Sequence, residues 1–252
     1  MKWVNILLLL LIFLWASSGL TKDLARVLRG IPHAVDYVLG MWPPDILLLP
    51  QLVKPLVETI RIAIVGTVLA ALISIPLSFL AARDTAPNAM IYFGSRGLIN
   101  FLRAIPTLLW ALLFVSLVGL GPLAGVFAIT CHCIGTLGKL FSESIEGIGP
   151  NVVEQMEAMR VDGANEYQTI YHGLLPAVSS LFASYILYYF ESNVRAATVL
   201  GLVGAGGIGL HLTHTIRLFK RHETLTVLLV ILLTVVIIDT ISRQIRRRLI
   251  ED

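Results

Sequence analysis

The residues in this chain that could do chemistry sit mostly inside apolar runs. Glu191, Asn193 and Arg195 share one such run. Glu191 and Arg195 are four apart, so on a helix they occupy one face and can pair. Two readings of this group stand open. It is a structural ion pair, or Arg195 and Asn193 line a route for an anion, because the planar donor fork of arginine suits phosphoryl oxygens. Lys139 with Glu143, and Asp239 with Arg243, repeat the four-residue spacing nearer the ends of their runs, where simple pairing is expected. Cys131, His132 and Cys133 are consecutive. Structural zinc sites use four ligands from separated pairs, and neighbours on a helix point in different directions, so a packed helix interior is expected there and no metal. His132, His211 and His214 could titrate near neutrality but have no acid–base partner at useful spacing. No Ser/His/Asp group and no paired carboxylates are present, so no catalytic residue is expected. Gly204, Gly206, Gly207 and Gly209 resemble a nucleotide loop only superficially, since that fingerprint follows a strand and these glycines follow an apolar helix. They read as a bend or a passive turn.

The elements that must position these residues follow from composition. Of the 252 residues, 56% are hydrophobic and 14% charged, with mean hydropathy +0.83. A soluble domain carries about 25% charged residues, so lipid is the natural solvent. The net charge of +3 and pI of 9.0 come from basic residues between the apolar runs. They reflect membrane topology, and no nucleic-acid partner is expected. A spanning helix needs about 20 apolar residues. Six runs meet or approach this: Trp3 to Leu20, Thr59 to Ala82 with a kink at Pro76, Ala104 to Leu120, Leu123 to Phe141, Ala177 to Val199, and Leu225 to Ile241. The first is short, and with Lys2 ahead of it and Ala16-Ser17-Ser18-Gly19 behind it also fits a signal peptide; a retained span is the expectation. Residues 21–57 are rich in proline and include a candidate surface helix. The nineteen Lys and Arg residues split almost evenly between the two sides. The cluster Arg243, Arg246, Arg247 and Arg248 after the last run therefore decides the orientation, and both termini are expected in the cytoplasm.

Residues 142–176 form a polar, acidic connection between the fourth and fifth runs. Met156 to Arg160 reads as helix, Gly163 is free to turn, and Ala164 to His172 reads as a second short helix ending before Pro176. Glu157-Ala158-Met159, then Gly163, nine residues, Gly173, and Leu174-Leu175-Pro176 resemble the EAA loop of ABC importer permeases. Glu157, Ala158, Gly163, Leu175 and Pro176 match that pattern. Met159 stands where the pattern has a second Ala, and Gly173 stands where it has Ile, which removes a packing side chain. Arg103 to Leu112, Gly135 to Glu143, Glu191 to Gly201, Val203 to Gly209 and Asp239 to Ser242 are similar to phosphonate-type permeases, so the resemblance covers roughly residues 55–248.

The resemblance implies an all-α membrane fold of the type I importer class, divided as 1–57 (first span and external segment), 58–248 (permease domain) and 249–252 (tail). It implies a subunit in a bacterial inner membrane that imports a small phosphorus oxyanion by alternating access. Its implied partners are a second copy of itself, a dimer of cytoplasmic ABC ATPases, and a periplasmic or lipid-anchored solute-binding protein. Glu157, Ala158, Gly163, Ala164, Asn165, Glu166, Leu175 and Pro176 would form the knob that docks on the ATPase. The glycines Gly204 to Gly209 would lie near the external gate. The sequence has no Gly-x-x-x-x-Gly-Lys-Ser/Thr loop, so ATP and Mg would be bound by the partner and this chain would need no cofactor. An ion-driven transporter, an intramembrane enzyme, and an ABC permease for another solute are the competing classes.

Overall fold

Small residues are buried beside large apolar ones where the helices meet, while many more large apolar side chains face outward, unlike a water-soluble bundle. In the computed structural model the described residues are 2–17 and 21–251, less the side chains of 2, 21–25, 166–167 and 250–251. The last three residues of the first expected run and the side chain of Glu166 thus lie outside the described residues. The helices are α1 (Lys2–Ser17), α2 (Thr21–Leu39), α3 (Leu49–Ala81), α4 (Ala89–Ala104), α5 (Thr107–Val118), α6 (Pro122–Glu146), α7 (Pro150–Val161), α8 (Glu166–Thr169), α9 (Leu175–Leu200), α10 (Ile208–Arg217) and α11 (Arg221–Glu251). No strand occurs among the described residues.

Along α3, Ala63, Thr67, Ala70 and Ser74 are buried while Ile64, Val68 and Leu72 are exposed. Lipid gives no hydrophobic drive for helices to associate, so they pack through small residues that let backbones approach. A Cβ on Gly66 would lie 2.7 Å from Ile129 Cγ2, and one on Gly125 2.7 Å from the Ala205 carbonyl oxygen. The buried hydroxyls are satisfied within the bundle: Thr67 donates to the Ala63 carbonyl (2.7 Å) and Ser74 to the Ile134 carbonyl (3.3 Å) on α6.

Four helical segments are long and apolar enough to cross a membrane: Ile46–Ala81, Pro122–Glu146, Ile170–Val203 and Arg221–Leu249. The pair Ala89–Ala104 and Thr107–Val118, bent by 88°, makes a fifth if it counts as one span. The 15 residues Trp3–Ser17 are apolar but shorter, and their large side chains are exposed from Trp3 to Trp15. Three expected boundaries are corrected. The second span begins at Leu49 and not at Thr59, because Pro50 sits in the first turn, where its missing N–H is no loss; the helix runs unbroken through 57 and 58. The third is a broken pair with a full helix, α4, ahead of Pro106. Its break is held by His132, whose Nδ1 donates to the Ile105 carbonyl (3.0 Å), and by Trp110, whose Nε1 donates to the Leu102 carbonyl (3.3 Å). The sixth extends to Glu251, so Arg243 to Arg248 belong to α11 itself.

Candidate functional site

The connection between α6 and α9 folds into a closed elbow. α7 ends as Gly163 N–H donates to the Arg160 carbonyl (3.1 Å) and Ala164 N–H to the Met159 carbonyl (3.0 Å). This paired closure needs a left-handed residue after the helix, and Gly163 has φ 94°. Two residues later Asn165 and Gln168 cap each other: each backbone N–H donates to the other's side-chain oxygen at 2.9 Å, a reciprocal capping box. Both arms of the corner are therefore fixed by hydrogen bonds. α8 does not end before Pro176 as expected. It passes through a π-turn, Ile170–Leu174, directly into α9, with Leu175 N–H donating to the Ile170 carbonyl. The wider turn accommodates the proline, which lacks a donor and would crowd the carbonyl four residues back. Leu175 is half-buried and Pro176 exposed.

One side of the elbow is fastened and the other is free. Met156 and Leu174 are buried in a cluster with Phe141, Ile145 and Phe182. Glu157, Ala158, Gly163 and Asn165 are exposed, Ala164 is half-buried, and Val161 at the tip is 87% exposed. Behind the elbow, Glu146 ties the ends of α3 and α6 to the middle of α4. Its Oε2 accepts from Arg96 Nη2 (2.6 Å), its Oε1 accepts from Arg83 N–H (2.8 Å), and Arg96 Nε donates to the Ala81 carbonyl (3.0 Å).

Residues 191 and 195 pair with each other, and residue 193 faces elsewhere. Glu191, with its side chain 7% exposed, accepts from Arg195 Nη1 (2.7 Å) through Oε1 and from Arg246 Nη2 (3.3 Å) through Oε2. Asn193 is buried and turned the other way, donating to Thr67 Oγ1 (2.9 Å) with Cys133 Sγ at 3.5 Å. It fastens α9 to α3 and α6. Lys139 with Glu143 (2.6 Å) and Asp239 with Arg243 (2.7 Å) pair as expected.

At the opposite end from the elbow, Gly204, Gly206 and Gly207 have φ of 85°, 83° and 76°. The turn they make is stitched to its neighbours: Gly121 N–H donates to the Gly204 carbonyl (2.9 Å), Gly207 N–H to Glu58 Oε1 (2.8 Å), and Ile208 N–H to Thr59 Oγ1 (2.8 Å). Glu58 and Thr59 on α3 thus cap α10, whose own Gly207 has no side chain to do so. Gly209 lies inside α10 against Gly201 and Thr198. Beside this turn, Lys54, Glu58 and Arg61 line a cleft of about 570 Å³.

A family model described as "Binding-protein-dependent transport system inner membrane component" matches residues 74–251. The chain belongs to that family. It is a permease subunit of an ABC importer. PtxC of Stutzerimonas stutzeri, a phosphite transport system permease protein, is 38% identical over 225 residues, covering 89% of this chain and 81% of PtxC. The phosphate-import permease protein PhnE of Mycolicibacterium smegmatis is 36% identical over 227 residues, 89% of this chain and 42% of PhnE. The fold matches a chain of the MetNI methionine ABC transporter in an inward-facing form, with TM-score 0.69 at 22% identity, covering 81% of this permease and 99% of that chain.

Two permease residues with evident roles were missed in the sequence. Arg246 looked like one of four equivalent basic residues after a span. Glu58 stands just ahead of the expected second span, 149 positions from the backbone it caps. Truncating Glu58 to alanine removes a charge-assisted acceptor from the start of α10. The purified permease is expected to lose about 1–2 kcal/mol, with Glu58→Gln losing less. A thermal melt in detergent that is unchanged for Glu58→Ala would contradict the capping role.

Proposed function

We propose that this permease moves a small phosphorus oxyanion (a phosphonate, phosphite or phosphate) into the cytoplasm, driven by a partner ATPase. The observation that carries the mechanical half of this reading is the elbow: hydrogen-bonded on both arms, buried on one side, and presenting Glu157, Val161 and Gly163 on the other. A knob transmits a push only if it is stiff, and this one has little freedom to yield. The names of the relatives support the substrate class.

In this reading the chain has six spans with both termini in the cytoplasm, α1 being the first, and two copies surround a shared path. A dimer of ABC ATPases, which binds the ATP and Mg, grips the elbows. A periplasmic or lipid-anchored binding protein delivers the ligand to the opposite mouth, where the Gly204–Gly209 turn lies near the gate. Closure of the ATPases moves the two elbows together and switches the helices between two discrete packings.

The test is reconstitution. Vesicles holding the permease with its ATPase are expected to accumulate phosphite, phosphate or a phosphonate only when ATP and the binding protein are supplied. Accumulation without the ATPase, driven by an ion gradient, would defeat the proposal. Within such vesicles Arg195→Ala is expected to cut uptake by roughly tenfold, the worth of about 1.4 kcal/mol, with the protein at its normal level. Full uptake by that variant would remove Arg195 from the path.

A further inference from the structure

Two guanidinium groups share one carboxylate between α9 and α11. Glu191 is paired through both oxygens, with Arg195 at 2.7 Å and Arg246 at 3.3 Å. The Arg246 guanidinium also lies over the Tyr188 ring at 5.6 Å, and its Nε is buried without a hydrogen-bond partner. Both helices belong to membrane-crossing segments. Glu191 is sixteen residues past Leu175 and nine before Leu200, or about 24 Å and 14 Å along the axis, while Arg246 lies five residues from the end of α11, so the cluster joins the interior of one segment to the last turns of another.

The charges do not balance. Glu191 is the only acid in α9, and the acids of α11 are Glu223, Asp239 and Glu251. Glu223 is held by Lys220 and Asp239 by Arg243, while Glu251 lies five residues beyond Arg246 at the helix end. Among the described residues the cluster therefore carries one positive charge in excess, and Arg246 Nε has no partner. An arginine cannot discard its proton to relieve this, and an uncompensated charge in a span is costly and typical of ion pathways. The Arg195 side chain is 44% exposed, so the cluster is open on one side.

We propose that Arg195 and Arg246 together form a seat for the translocated oxyanion, and that Glu191 is its internal stand-in. In the empty transporter the carboxylate occupies the two cations. A tetrahedral oxyanion entering from the Arg195 side displaces it, satisfies Arg246 Nε, and offers the forks a matching pair of oxygens. The carboxylate then competes to expel the ligand, which keeps binding weak enough for passage. This inference rests on the oxyanion reading of the preceding section.

The experiment measures phosphite and inorganic phosphate binding to the purified permease–ATPase complex in nanodiscs, without binding protein, by ligand-induced thermal shift and calorimetry. Glu191→Gln removes the competitor and keeps the shape, so it is expected to tighten binding at least fivefold. Arg246→Gln is expected to weaken it at least tenfold, and Arg246→Lys about threefold. Arg243→Gln, whose charge is paired elsewhere, is expected to match the parent protein. If Arg246→Gln does not assemble, Glu191→Gln and Arg246→Lys decide. The proposal is overturned if Glu191→Gln binds no tighter than the parent, if neither Arg246 variant binds more weakly, or if no binding is detected in any of them. ATP hydrolysis stimulated by binding protein loaded with phosphite, phosphate or a phosphonate separates this from the underlying reading. Stimulation together with unaltered variant affinities sinks only the seat; absence of stimulation by all three sinks the oxyanion importer itself.

Discussion

Gly163→Val permease is expected to reach the membrane at its normal level and to transport about fivefold less than the parent, or lower still. At φ 94° a β-branched residue carries a torsional penalty of about 1–3 kcal/mol, and each 1.4 kcal/mol removes about nine-tenths of the chains from the docking shape. The penalty is purely one of backbone conformation, because nothing lies within 4 Å of a Cβ built at this position. That gives the prediction its control. Asparagine tolerates the left-handed region, so Gly163→Asn should retain most transport although it adds a side chain of similar size. The signature sought in proteoliposomes is ATP hydrolysis that no longer responds to the binding protein. Equal transport by the valine and asparagine variants would mean that the left-handed corner has no part in coupling.

The largest loss of stability is expected at Gly209. A Cβ there would fall on the carbonyl oxygen of Thr198, with Gly201 Cα at 3.0 Å, and a Cβ on Gly201 would meet Gly209 Cα at 2.6 Å. The two glycines lie back to back where α10 crosses the end of α9. All the obstructing atoms are backbone, so no rotamer change relieves them. Overpacking of this kind costs about 1–3 kcal/mol or more, and Gly209→Ala is expected to lower Tm by roughly 2–12 °C. Gly94 and Gly97 in α4 have open space around them, and alanine there should hold or raise Tm, since glycine is the poorer helix former by about 1 kcal/mol. A melt of Gly209→Ala indistinguishable from that of Gly97→Ala would contradict the close crossing.

The bundle and the elbow were legible for different reasons. α6 and α9 follow their apolar runs to within a few residues because lipid demands such runs and because glycine and proline punctuate their ends. α4 was not legible. Ser95, Arg96, Asn100 and Arg103 dilute its apolar content, and packing against α6, with Gly135 close to the Arg103 backbone (2.5 Å to a built Cβ), joins the Asn88 cap, which accepts from Ile91 N–H (2.9 Å), in keeping it helical up to the break. The elbow's corner could be read from Gly163, whose left-handed turn is a local requirement. Its second arm was misjudged, because a π-turn that carries a helix across a proline leaves no signal in composition. Asn193 and Arg195, two apart on the helix, face different neighbours, and Asn193 bonds Thr67. Arg246 and Glu191 lie 55 positions apart, and no local spacing announces such a meeting.

Met159 and Gly173 were each read as a separate departure from the family pattern. In space they are one exchange. A Cβ on Gly173 would sit 3.5 Å from Met159 Sδ and 3.0 Å from Met156 Cγ, so the long thioethers fill the volume that a branched residue at 173 would take. Bulk has moved from one arm of the elbow to the other while the filling between them stays the same. A motif compared column by column counts two separate departures where the two positions are neighbours in space.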